Sequence, residues 1–119
     1  MVSPGAPTRT EDFLAEGELL TDVGGTLPHK VLSTPGMIHV MEWACTRLIR
    51  EAAPEAGPTV GFEVCVKHVG GAPEGTPLTV TATLREVVDG RKFRCDVEVR
   101  DGDRTIGVGT HERRVLSGR

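Results

Sequence analysis

The hydrophobic pattern of this chain changes period once and does not change back. From Gly36 to Ala53 the apolar residues recur at three- and four-residue steps, and from Thr59 to Val115 they alternate with polar ones between turn residues. A single helix followed only by strands has few ways to bury both apolar faces. The natural one is an α+β domain in which the helix lies on one face of a strongly curved antiparallel sheet.

The helical segment is GMIHVMEWACTRLIREAA, with Met37, Val40, Met41, Ala44 and Leu48 as its core stripe. Thr34 reads as its N-cap and Pro35 as its first helical residue, while Pro54 and Gly57-Pro58 end it. In TVGFEVCVKH, Val60, Phe62, Val64 and Val66 form one expected face against Gly61, Glu63, Cys65 and Lys67. LTVTATLREVV and RKFRCDVEVR alternate in the same way and are joined at Asp89-Gly90, a strong hairpin signal. A second turn at Asp101-Gly102-Asp103 leads into RTIGVGTHERRVL. Leu19 to Val23 reads as a short strand before the helix, broken by Gly24-Gly25, which makes about five strands in all. The helix is apolar around more than half its circumference, as expected if its own sheet and a partner subunit both cover it.

A chain of 119 residues suits one domain. Residues 1–17, rich in Pro, Gly, Thr and acids, read as a flexible arm, and 18–119 as a single domain. Three Phe, one Trp and no Tyr leave the core to aliphatic residues. A net charge of −3 argues against nucleic acid as the main partner, because phosphate binding needs a concentrated basic face. No apolar run is long enough to span a bilayer, and the N-terminus lacks an apolar signal core, so a cytoplasmic protein is expected. Cys45, Cys65 and Cys95 have no metal-type spacing and read as reduced, packed thiols.

Glu42 is the most informative position. On a helical wheel it shares a face with Ile38, Cys45 and Ile49, where a carboxylate is costly to desolvate without a partner or a task. The alternative is a solvated carboxylate at the edge of the stripe, paired with Arg47 or Arg50. Thr34 is eight residues earlier, a little over two turns, and so lies on roughly the same side. It reads as a cap, as a substrate contact, or as both. His68 ends the expected core face of its strand, as a hydrogen-bonded structural residue or as a catalyst. His111, in the polar run GTHER, reads as part of a solvated outer face with cross-strand ion pairs. His39, near Trp43 and Arg47, reads as exposed or at an interface, and His29 lies in the connection before the helix. His39 and Glu42 are three apart on the helix but have no third ligand, so neither a metal nor another cofactor is expected.

Taken together, GMIHVMEWACTRLI, TVGFEVCVKHVGGAPEGTPLTVTATLREV and GVGTHERRVL, from about Leu32 to Val115, resemble the fluoroacetyl-CoA thioesterase group of the hotdog-fold thioesterase superfamily. The resemblance implies a hotdog fold and a homodimer, or a tetramer built from it, with sites at the subunit interface. It implies an acyl-CoA substrate hydrolysed to free acid and CoA. By motif and spacing it assigns Thr34, Glu42 and His68 as catalytic, and Gly61 and Arg113 as substrate- or CoA-binding. The segment before the helix, TLPHKVLS, is shorter than in the fluoroacetyl-CoA enzyme and lacks the phenylalanine of that enzyme's lid. Thioester hydrolysis is therefore carried over, and the fluoroacetyl substrate is not. Two other readings stay open: a hotdog module that binds an acyl-CoA without hydrolysing it, and a hotdog dehydratase or hydratase.

Overall fold

The computed structural model describes residues 5–116. Seven strands and one long helix follow one another as β1 (Thr8–Leu14), β2 (Leu20–Thr21), β3 (Val31–Leu32), α1 (Thr34–Ala52), β4 (Thr59–His68), β5 (Pro77–Val88), β6 (Lys92–Asp101) and β7 (Arg104–Val115). Five strands form one antiparallel sheet in the order β1-β5-β6-β7-β4, so β1 and β4 are its edges. The short β2 and β3 pair separately, beside the entry to α1. Among the described residues no helix is long and apolar enough to cross a membrane.

The helix lies across the middle of the sheet. Met37, Met41, Ala44 and Leu48 are buried as the periodicity predicts, together with Cys45 and Ile49, while Val40 is only partly buried. They pack on Leu78, Val80 and Ala82 of β5, on Phe93, Val97 and Val99 of β6 and on Ile106 of β7. Glycine lets the helix come close to β7: a Cβ placed on Gly107 would lie 2.2 Å from the Met37 sulfur.

Four details depart from the sequence reading. The arm expected over residues 1–17 contains β1, paired with β5 from Thr8↔Thr83 to Leu14↔Pro77. Its side chains alternate between exposed and half-buried, and this weak pattern hid a strand behind its polar composition. The strand expected at Leu19 to Val23 is a 3-10 turn, Gly17–Leu19, followed by the two-residue β2. The helix begins one residue earlier than expected. Ser33, not Thr34, is its N-cap: it is extended (φ −81°, ψ 158°), and its Oγ accepts from the Gly36 N–H at 2.9 Å. Cys45 and Cys95 are buried, but Cys65 is exposed. Contact with the Cys95 thiol, and burial, push the Cys45 thiol up and keep it protonated.

The expected apolar face of β4 is also divided. Gly61 pairs with Arg113 and Glu63 with Glu112, leaving Phe62 as an extra residue in a β-bulge. After the bulge, Val64, Val66 and His68 pair with His111, Gly109 and Gly107, on the face toward the helix. Before it, Val60 pairs with Arg114 on the outer face, where the Arg114 guanidinium lies 3.3 Å over the Phe62 ring. Because of the extra residue, Gly61 falls on the inner face with Val64 rather than opposite it.

Candidate functional site

The five residues assigned by sequence form two groups. At the start of α1, the Thr34 hydroxyl lies 2.9 Å from His68 Nδ1. The one-residue shift of the cap makes this contact possible, because Ser33 caps the helix and leaves the Thr34 side chain free. If Thr34 donates to Nδ1, the ring proton sits on Nε2.

Glu42 belongs to the second group, two turns along the helix. Its carboxylate is 40% exposed, so it is not desolvated as its neighbours on the helical wheel suggested. It sits above Gly61, where an added Cβ would come within 2.9 Å of Oε2. Arg113 Nη1 lies 3.7 Å from Oε2 and His111 Nε2 lies 3.8 Å from it. Neither Arg47 nor Arg50 pairs with Glu42; Arg47 instead pairs with Glu11 of β1.

Arg113 is 8% exposed and is held from three sides. Its Nε donates to Thr59 Oγ1 and its Nη2 to the Thr59 carbonyl, both at 2.9 Å, and its Nη1 lies 3.2 Å from His111 Nε2. These acceptors are neutral, and among the described residues Glu42 is the one carboxylate paired with the guanidinium. His111 is 1% exposed. Burial is the main cause that pushes its pKa below the usual 6.5, and the nearby Arg113 acts in the same direction.

Within GTHER the outer face holds Thr110 and Glu112, and Glu112 is not solvated but 6% exposed. Glu112 accepts from Arg114 Nε at 2.8 Å and Arg94 Nη2 at 3.1 Å, and these partners, Arg114 foremost, pull its pKa below 4.5. His111 and Arg113 face inward. The signal for this lies in the sequence: Gly107 and Gly109 mark the side of β7 closely approached by its neighbours, and a period of two carries that side on to residues 111 and 113.

No hydrogen bond or ion pair joins the Thr34–His68 pair to the Glu42 group among the described residues. His39 accepts from the Trp43 indole N–H at 2.9 Å on a separate, exposed face of the helix. Among the described residues no group of three or more metal-type side chains is assembled.

Three comparisons bear on this arrangement. A hot-dog-like protein from Thermanaerovibrio acidaminovorans superposes with a TM-score of 0.82 at 22% identity, covering 97% of this chain and 84% of that one, which establishes the fold. A crystal structure of a mutant fluoroacetyl-CoA-specific thioesterase in complex with fluoroacetate and CoA gives a TM-score of 0.81 at 32% identity over 93% of each chain. The fluoroacetyl-CoA thioesterase of Streptantibioticus cattleyicolor is 40% identical over 87 residues, which are 73% of this chain but only 62% of that relative. Residues 15–119 match the family described as fluoroacetyl-CoA-specific thioesterase, and the chain belongs to that family, on a hotdog fold.

Proposed function

We propose that this protein hydrolyses an acyl-CoA thioester to the free acid and CoA. The reading is carried by Glu42: a solvent-accessible carboxylate above a glycine, backed by a buried guanidinium that meets no other carboxylate among the described residues. Such a group can take a proton from water as the water attacks the thioester carbon, or attack that carbon itself to form a mixed anhydride that water then cleaves. In either route the carbon–sulfur bond breaks and CoA leaves as a thiolate. His68, with Thr34 on its Nδ1, then has an Nε2 proton to give that sulfur. Gly61 leaves room for the Glu42 carboxylate to sit against β4, where a side chain would crowd it. Arg113 is buried with its donors engaged, which favours a role in holding Glu42 over contact with CoA phosphates. The relatives' complexes with fluoroacetate and CoA, and with acetyl-CoA, support a small acyl-CoA as the substrate class.

The reading includes a homodimer. Eight residues of helix rise about 12 Å, and a reacting carbon must lie within about 3–3.5 Å of the groups that act on it. Thr34–His68 and Glu42 of one chain therefore serve different sites. Antiparallel pairing of two β4 edges centred on Cys65 would set His68 opposite the partner's Gly61, with matching faces because of the bulge at Phe62. Each site would then combine the His68 pair of one protomer with the Glu42 group of the other.

The test is free-thiol release from a panel of acyl-CoAs, from acetyl to long-chain, by the wild type and Glu42→Gln. Release that falls at least 100-fold in Glu42→Gln with KM little changed is the expected result. Binding of the panel without release by the wild type would make the protein a ligand-binding module instead.

A further inference from the structure

We propose that His111 is a positioning residue for Glu42: it holds Arg113 in the orientation that presents the guanidinium to the carboxylate. The proposal rests on the reading of Glu42 as the reacting group. His111 lies in van der Waals reach of the site floor, its Cε1 being 3.4 Å from where a Cβ on Gly61 would stand. Its Nδ1 is 2.8 Å from the Glu63 carbonyl oxygen, and its Nε2 is 3.2 Å from Arg113 Nη1. A carbonyl can only accept and a guanidinium can only donate, which fixes one tautomer: the proton is on Nδ1 and the lone pair on Nε2. The imidazole therefore works as a bridge with its two ends in opposite roles.

The bridge begins at the bulge. Glu63 is the first residue after Phe62, so the carbonyl that anchors His111 belongs to the irregular part of β4. Two of Arg113's three nitrogens are fixed by Thr59, and Nη1, the nitrogen nearest Glu42, is fixed by His111. Without the lone pair on Nε2, Nη1 has no neutral partner to set its direction.

The charged and titratable groups facing the ring are Glu42 from α1, Arg113 on its own strand, and Cys95, which pairs with it from β6. Burial most strongly, and Arg113, oppose a proton on the ring, while the bond to the Glu63 carbonyl and, less, Glu42 favour one. Protonation would turn the Nε2 acceptor into a donor aimed at Arg113, so the arrangement holds only while the ring is neutral. His111 borders the space above Gly61 with Cε1 alone, and its Nε2, 3.8 Å from Glu42 Oε2, makes its hydrogen bond to Arg113.

Two substitutions separate the ends of the bridge. His111→Gln keeps an acceptor near Nε2, and His111→Asn keeps a donor near Nδ1 but no group within reach of Arg113. Thiol release should stay within about threefold of wild type in His111→Gln and fall tenfold or more in kcat in His111→Asn, with KM and melting temperature similar in the two. Equal kcat in both, or a loss of kcat that merely follows melting temperature, overturns the proposal. A pH profile gives a second readout: the acid limb of kcat should be less steep in His111→Gln, which has no ring to protonate, than in the wild type. Identical acid limbs overturn the proposal. Glu42→Gln, assayed alongside, separates the two failures. If it retains wild-type turnover, the Glu42 reading falls. If it is inactive while His111→Asn is fully active, only the positioning role falls.

Discussion

Gly61 shows how little room the carboxylate has. A methyl group there would stand 2.9 Å from Glu42 Oε2, and its neighbours on the other side are the nearly fixed His111 and Arg113. Gly61→Ala should therefore move the carboxylate rather than unfold the exposed strand edge. A displacement approaching 1 Å in such a group costs about 100-fold in rate. Thiol-release kinetics beside a denaturation curve will check it, with kcat expected to fall and the unfolding midpoint to stay. His111 also predicts an acid weakness. Its folded-state pKa lies below the unfolded value of 6.5, so the unfolded chain takes up a proton first, and stability falls as the pH drops from 6.5 toward the folded-state value. His111→Gln should flatten that part of the stability curve in urea titrations. Glu42, Thr34 and His68 stand out as candidates from helical spacing and strand position, and Gly61 and Arg113 only from the family resemblance. His111 does not, because a polar run in a strand reads as outward-facing until the glycines before it are used to set the parity.

Among the elements, the entry to α1 separates two jobs that one residue seemed to share. Ser33 caps the helix, and its hydroxyl also donates to the Leu19 carbonyl at 3.0 Å, tying the 3-10 turn to the helix start. Thr34 is left to His68. Ser33→Ala should cost about 1 kcal/mol of stability with little effect on kcat, and Thr34→Ala should do the reverse. Thermal melts and thiol-release rates on the two variants will show whether the jobs are separate. The helix, the Asp89-Gly90 hairpin and the four long strands were legible because their periods are strong. The strand β1 and the bulge at Phe62 were not. In β1, exposed and half-buried residues alternate without a clear apolar face, and a bulge leaves no mark in a pattern whose residues on both sides are apolar. The close fit of β7 under the helix gives a further test: Gly107→Ala forces a Cβ to within 2.2 Å of the Met37 sulfur. Overpacking of that kind costs about 1–3 kcal/mol, measurable as a lower urea midpoint.

At the scale of the whole molecule, the proposed dimer sets Cys65 opposite the partner's Cys65. Mild oxidation of the native protein should link two chains through this exposed thiol, while the buried Cys45 and Cys95 react only after unfolding. Non-reducing gels of the wild type and Cys65→Ser will decide it: a cross-linked band that persists in Cys65→Ser would place the contact elsewhere. Mixing inactive Glu42→Ala with inactive His68→Ala should restore activity, since a mixed dimer has one site with both intact halves. No recovery after confirmed subunit exchange would mean that each chain completes its own site.

The two edges of the sheet carry different chemistry. The β4 edge presents Val60, Phe62 and Val64, all exposed, whereas β1 carries Arg9 and Glu11 in an ion pair, and both are also paired to residues of α1. Charge on an edge strand discourages another chain from adding to it. Joined through β4, two five-stranded sheets would become one continuous sheet ended on each side by a guarded strand. Association along this route would be self-terminating: the proposed contact would use up the apolar edge of the five-stranded sheet, and the assembly would close instead of growing into a fibre.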